Sequence, residues 1–146
     1  ADQGQQFIRA LRERFMQLPG VDSVGLINNL HLTLTNTIFI TFNVDGVEPP
    51  AGSNGHSGDR ATVDPEFFEA AGVKILRGRN FNDGDSEDST AVAIVSEALE
   101  QRFWPGESAV WRILRRPRDY LPYLTIVGAF GDANIPTIAE ATPLLL

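Results

Sequence analysis

The stretch Arg60–Phe81, RATVDPEFFEAAGVKILRGRNF, sets the reading of this chain. Ala61 and Val63 flank Thr62 in a short strand-like run, and Asp64 followed by Pro65 is a helix start. A carboxylate there can accept from the free amides of the first turn, and proline fits that turn because its missing N–H costs nothing. Gly72 closes the short helix, since glycine accepts the left-handed backbone that ends one. Val73–Phe81 then returns as a strand or extended arm. Strand, capped helix, glycine turn and strand in about 20 residues form one αβ unit.

The same order recurs downstream. Ala91–Val95 is an apolar run of strand length, Ser96 caps a second helix with Glu97 in its first turn, and Pro105 and Gly106 end it. Ala109–Leu114 is read as a further strand, Arg115–Pro122 as a loop and Tyr123–Phe130 as an apolar strand, with the pattern fading beyond Asp132. Upstream, Phe7, Ile8, Leu11, Phe15 and Leu18 recur at steps of three and four, giving an amphipathic helix over Gln3–Leu18 that Pro19 and Gly20 terminate. Val21–Leu32 is expected as a strand. Thr37–Val44 alternates Ile38, Ile40, Phe42 and Val44 against polar positions, as a half-buried strand does. Phe39 breaks that alternation, which points it at a second packed surface. Asp45–Asp59, rich in proline, glycine and small polar residues, is expected as a loop and a lobe boundary.

With 146 residues, 42% hydrophobic and 21% charged, the chain has the composition of one folded domain. Its formal charge of −7 disfavours a nucleic-acid partner, and the absence of cysteine excludes disulfides, thiolate chemistry and cysteine zinc sites. The longest apolar runs are far shorter than the roughly 20 residues that cross a bilayer. Neither end has the character of a native terminus: there is no initiating Met and no signal-peptide pattern, and the chain stops in the apolar run Leu144–Leu146, so both ends are expected to be cuts in a longer polypeptide.

Candidate chemistry is sparse. His56, beside Ser53 and Ser57, invites a nucleophile, but Ser57 lacks the GxSxG frame because residue 59 is Asp, and a flexible loop is the expected setting. His31 has no HxH or HExxH partner. Asp83, Asp85, Glu87 and Asp88 suggest calcium, yet the EF-hand frame fails at Asp88 and Ile94, leaving a solvated turn. Arg112, Arg115, Arg116 and Arg118 form a basic cluster that could meet an anion or a partner's carboxylates, against the plainer reading of a solvated or internally paired group. Phe67, Phe68, Phe103 and Trp104 fall on the two short helices, where core packing is expected. No GxxxxGK[ST] loop occurs. The sequence therefore assigns no catalytic, cofactor-binding or metal-binding residue, requires no cofactor, and singles out no partner-binding residue.

Several motifs in order resemble the extracytoplasmic core domain of MacB-like and FtsX-like ABC-type permeases: Leu18–Val21 (LPGV); Asp64, Pro65, Phe67, Phe68, Gly72, Leu76, Gly78, Arg79 and Phe81; Val92–Ser96 (VAIVS); Glu97–Glu107 (EALEQRFWPGE); and Tyr123–Asp132. Where that family carries a glycine and a basic residue after the SAV segment, this chain has Trp111 and Arg112. The resemblance implies an α+β, two-lobed mixed αβ domain, incomplete at its C-terminus: residues 1–50 begin a porter-like lobe, 51–135 form an inserted lobe, and 136–146 return towards the first. It further implies a non-enzymatic element on the periplasmic side of the bacterial inner membrane, between two membrane helices. That element would relay ATP-driven conformational change to substrate efflux or to a periplasmic protein. Its implied partners are the parent permease's transmembrane helices, a cytoplasmic nucleotide-binding subunit acting indirectly, a periplasmic protein and a second copy in a homodimer. The alternative is a free-standing periplasmic module binding a small polar ligand between two lobes.

Overall fold

One strand explains the layering: in Val92–Ser96 all five residues are buried, so both faces of the sheet are covered there. The computed structural model describes residues 2–28, 38–85, 90–117, 122–131 and 136–141. In chain order its elements are α1 (Asp2–Met16), β1 (Ile38–Phe42), β2 (His56–Val63), α2 (Phe67–Ala70), β3 (Ile75–Gly78), β4 (Val92–Ser96), α3 (Glu97–Phe103), β5 (Ile113–Leu114), β6 (Leu124–Phe130) and β7 (Ile138–Ala141). The strands form a seven-stranded sheet in the order β1-β2-β7-β4-β6-β3, with β5 also paired to β6. β4 runs parallel to β6 and antiparallel to β7, and β2 runs parallel to β7. The class is α+β, with a mixed sheet.

Alternation along the strands sorts the core into two layers. Ala93 and Val95 of β4 join Leu99 and Phe103 from α3 and Trp104 just after it, with Phe42, Leu124 and Ile126. Val92 and Ile94 turn the other way and pack with Phe67 and Phe68 of α2, Phe81, Val127 and Phe130. The four helix aromatics are core residues, as expected, and each lies in a ring cluster: Phe68 is 5.5 Å from both Phe67 and Phe130, and Phe103 is 5.5 Å from Phe42.

Ser96 caps α3 as the sequence suggests, its Oγ accepting from the Leu99 amide at 3.2 Å. Gly78 shows why a glycine stands in the ILRGRNF segment: its φ is +71°, and a Cβ there would lie 2.2 Å from the Val127 carbonyl oxygen.

Five expectations need correction. Residues 21–26 form no strand; only Ile27 makes an antiparallel bridge, to Val63, while residues 29–32 lie outside the described residues. The expected loop 45–59 ends early, because β2 begins at His56. Residues 109–112 are a turn, and β5 is confined to Ile113–Leu114. Phe39 is 65% exposed, so no described residue packs it away. The Asp64 side chain does not cap α2; its backbone carbonyl accepts from the Phe67 amide, and its carboxylate is engaged elsewhere. Strands from segments 1–50, 51–135 and 136–146 all join the sheet.

Candidate functional site

The described arginines of the basic cluster each meet a carboxylate in the fold. Arg112 pairs with Glu107 at 2.5 Å, Arg115 forms a two-pronged contact with Asp45 at 2.8 and 3.1 Å, and Arg116 reaches Glu140 at 2.8 Å. Arg118 lies outside the described residues. The described arginines of the cluster are thus tied to three separate carboxylates rather than gathered as one anion cradle. The Arg115 pair is exposed and holds Asp45 below the usual carboxylate range, mainly through the hydrogen bond itself.

The acidic turn is organised in the same way. Asp85 receives both Nη1 and Nη2 of Arg79, at 2.7 and 2.9 Å, and accepts from the Asn82 amide at 2.9 Å. Hydrogen bonding by Arg79 holds the Asp85 carboxyl below its ordinary value. Asp83 is exposed, and Glu87 and Asp88 lie outside the described residues. Among the described residues no group of His, Cys, Asp and Glu is arranged to hold a metal ion.

His56 is not in a mobile loop. It opens β2, is 4% exposed, and its ring sits 4.8 Å from Phe103 and 5.9 Å from Phe42. Neither ring nitrogen has a hydrogen-bond partner among the described residues, so neither neighbouring serine is set against it. Ser53 Oγ instead donates to the Gly55 carbonyl at 2.5 Å. His31 lies outside the described residues.

The feature sequence reasoning missed is how α1 is held. The Asp64 carboxylate is fully buried and paired with Arg12 of α1, whose guanidinium also lies 3.4 Å from Glu66. Burial pushes the Asp64 carboxyl above its ordinary value and outweighs the opposing pull of Arg12. Apolar residues on α1 stay open: Phe7, Phe15, Met16 and, just beyond, Leu18 are exposed. Beyond the helix, the chain turns at Pro19 and Gly20, where φ is +82°. Among the described residues, the turn at Pro19–Gly20 and the contacts of Arg12 with Asp64 and Glu66 thus tie α1 to the sheet body. No spacing rule links residues 12 and 64, so this contact could not be read beforehand.

The group around Glu140 was equally hidden. Arg60 Nη1 donates to both oxygens of Glu140, at 3.2 and 3.3 Å, and Arg116 shares the same carboxylate. Glu140 lies in the part of the chain where sequence patterning fades.

Comparison with known proteins adds to this geometry. The fold is similar to the periplasmic region of MacB from Actinobacillus actinomycetemcomitans, with a TM-score of 0.59 at 12% identity over 93% of this chain and 54% of that one. It is similar to a domain of a putative permease protein from Porphyromonas gingivalis, with a TM-score of 0.56 at 16% identity over 86% of this chain and 49% of that one. It also resembles the extracellular domain of the noncanonic ABC-type transporter YknZ from Gram-positive bacteria, with a TM-score of 0.54 at 11% identity over 88% of this chain and 59% of that one. The chain spans about half the length of these solved domains. No curated protein sequence matches significantly. Among the described residues no helix is long and apolar enough to cross a membrane. The profile of the MacB-like periplasmic core domain matches residues 5–141, nearly the whole chain, and the chain belongs to that family.

Proposed function

We propose that this chain is a non-enzymatic extracytoplasmic domain of an ABC-type permease of the bacterial inner membrane. In this reading a cytoplasmic nucleotide-binding subunit hydrolyses ATP, and the permease's transmembrane helices carry the resulting movement to this domain. The domain passes that movement to substrate efflux or to a periplasmic protein, either alone or paired with a second copy. The division into a porter-like part at 1–50, an inserted part at 51–135 and a returning segment at 136–146 belongs to the same proposal.

The observation that carries the reading, beside family membership, is the attachment of α1. A helix that moves relative to its domain needs a turn and a contact with two states rather than a broad apolar seam. α1 has the turn at Pro19–Gly20 and the Arg12–Asp64 pair, and it leaves Phe7, Phe15 and Met16 open. Catalysis is not part of the proposal, because the one histidine that sequence nominated is a packed core residue.

The test is a distance measurement in the full-length protein in lipid vesicles. Spin labels replace Gln6 on α1 and Glu69 on α2, which packs on the sheet, both exposed. The proposal predicts that the distance distribution differs between the nucleotide-free and ATP-bound states, and that Arg12→Ala broadens it in both. Identical distributions in the two states would count against a relay. A small-ligand module without membrane attachment would instead give a change on adding ligand and none on adding ATP.

A further inference from the structure

Arg60 and Arg116 carry two positive charges and share one carboxylate, Glu140, so one positive charge lacks a counterion among the described residues. Each guanidinium offers five N–H donors. Arg60 uses only Nη1 and Arg116 only Nη2, while Arg116 Nε is buried with no hydrogen-bond partner. The side chains are 25% and 13% exposed, within reach of a ligand yet shielded from bulk water. Unused donors and an unmatched charge at such a depth favour an anion far more than the same groups would in open solvent.

These two arginines line one groove of about 440 Å³. Ile38, Phe39 and Ile40 of β1 and Pro117 give it an apolar wall, beside the polar side chains of Thr41 and Asn54. The register sets Ile38 directly opposite Arg60, which brings the apolar strand and the cationic pair together at the sheet edge. Phe39, whose exposure has no packing explanation within the described residues, lines that groove. A planar guanidinium pair beside an apolar wall is complementary to one ligand chemistry: a carboxylate carried on an apolar body. The excess of positive charge is local, on a chain of net charge −7, so it is not a by-product of composition.

We propose that the groove between β1 and the Arg60–Glu140–Arg116 cluster is a binding site for a small amphiphilic carboxylate. The carboxylate takes the free donors of Arg60 and Arg116, and the apolar body lies along Ile38, Phe39 and Pro117. This site does not depend on the relay reading, and it stands whether the domain is moved by a permease or acts by itself.

The test uses octanoate below its micellar concentration, with acetate and octanol as the same headgroup without a tail and the same tail without a charge. Amide shifts of residues 38–41, followed by NMR, should move saturably with octanoate. Acetate and octanol should each bind at least tenfold more weakly. Arg116→Gln should weaken octanoate at least tenfold, and Phe39→Ala, at a solvent-exposed side chain, should weaken it severalfold while leaving the fold intact. If Arg116→Gln does not fold, the ligand series and Phe39→Ala decide the matter. Octanol binding as tightly as octanoate would show that the arginines select nothing. Acetate matching octanoate, or an absence of saturable shifts at residues 38–41, would equally overturn the proposal.

Discussion

Trp111 occupies a backbone conformation that suits glycine, with φ at +71° and the side chain 69% exposed. The turn cannot relax, because its backbone is tied to β6: the Trp111 amide donates to the Ile126 carbonyl at 2.7 Å, and the Ile126 amide donates to the Arg112 carbonyl at 2.9 Å. Two variants isolate the backbone cost. Trp111→Ala and Trp111→Gly both remove the indole and its contacts, so the difference between them reports conformation alone. A left-handed residue with a Cβ costs about 1.5 kcal/mol. Glycine gives back about 0.7 kcal/mol through the greater freedom of its unfolded chain. Glycine should therefore exceed alanine in stability by about 0.8 kcal/mol, reversing their usual order. At about 2.1 cal/mol/K per residue, the 146 residues give an unfolding entropy of about 0.3 kcal/mol/K, so the gap in Tm is about 3 °C. Calorimetry on the two variants measures it. Equal stability, or alanine above glycine, would refute the argument and imply that the turn rearranges.

Gly78→Ala meets both a left-handed backbone and the Val127 carbonyl 2.2 Å away, and should lose about 3 kcal/mol in urea unfolding. Ser96→Ala removes the side-chain acceptor that caps α3 and should lose about 1 kcal/mol by the same assay. Asp85 and Asp64 predict opposite acid behaviour. The Asp85 carboxyl is held low by Arg79, so its contribution is present above the unfolded value of about 3.9 and disappears as pH falls through the lower folded value; the advantage of wild type over Asp85→Asn should shrink on acidification. The Asp64 carboxyl is raised by burial, so charging it costs stability above its folded value; wild type relative to Asp64→Asn should gain as pH falls towards about 3.9. Urea titrations at stepped pH would expose parallel trends, which would contradict these assignments.

Much of the fold was legible because local chemistry and tertiary placement agree. Ser96 and Glu97 announce α3, and the unbroken apolar run Ala91–Val95 announces a strand, which the fold covers on both faces. Failures fall where long-range packing overrides local signal. His56–Asp59 looks like loop by composition, yet pairing with Phe39–Phe42 and the Phe42 and Phe103 rings make it strand. Asp64 looks like a cap, but a guanidinium 52 positions away takes its carboxylate. Ala109–Leu114 reads as strand, but a positive φ at Trp111 turns the chain there and leaves only Ile113–Leu114 paired. The ionic groups Arg12–Asp64 and Arg60–Glu140–Arg116 join residues far apart in the chain, and no periodicity encodes such contacts.

The central claim is that this domain works outside the cytoplasm while attached to a membrane protein. The chain has no cysteine, so Ser53→Cys in the exposed turn after Pro50 gives the domain a single thiol. The measurement is its reaction with a membrane-impermeant maleimide in intact cells whose outer barrier has been made permeable, read on the carbonate-washed membrane fraction against a control with other thiols removed. The account predicts labelled full-length protein in that fraction before lysis; labelling only after lysis, or labelled protein found solely in the soluble fraction, would contradict it.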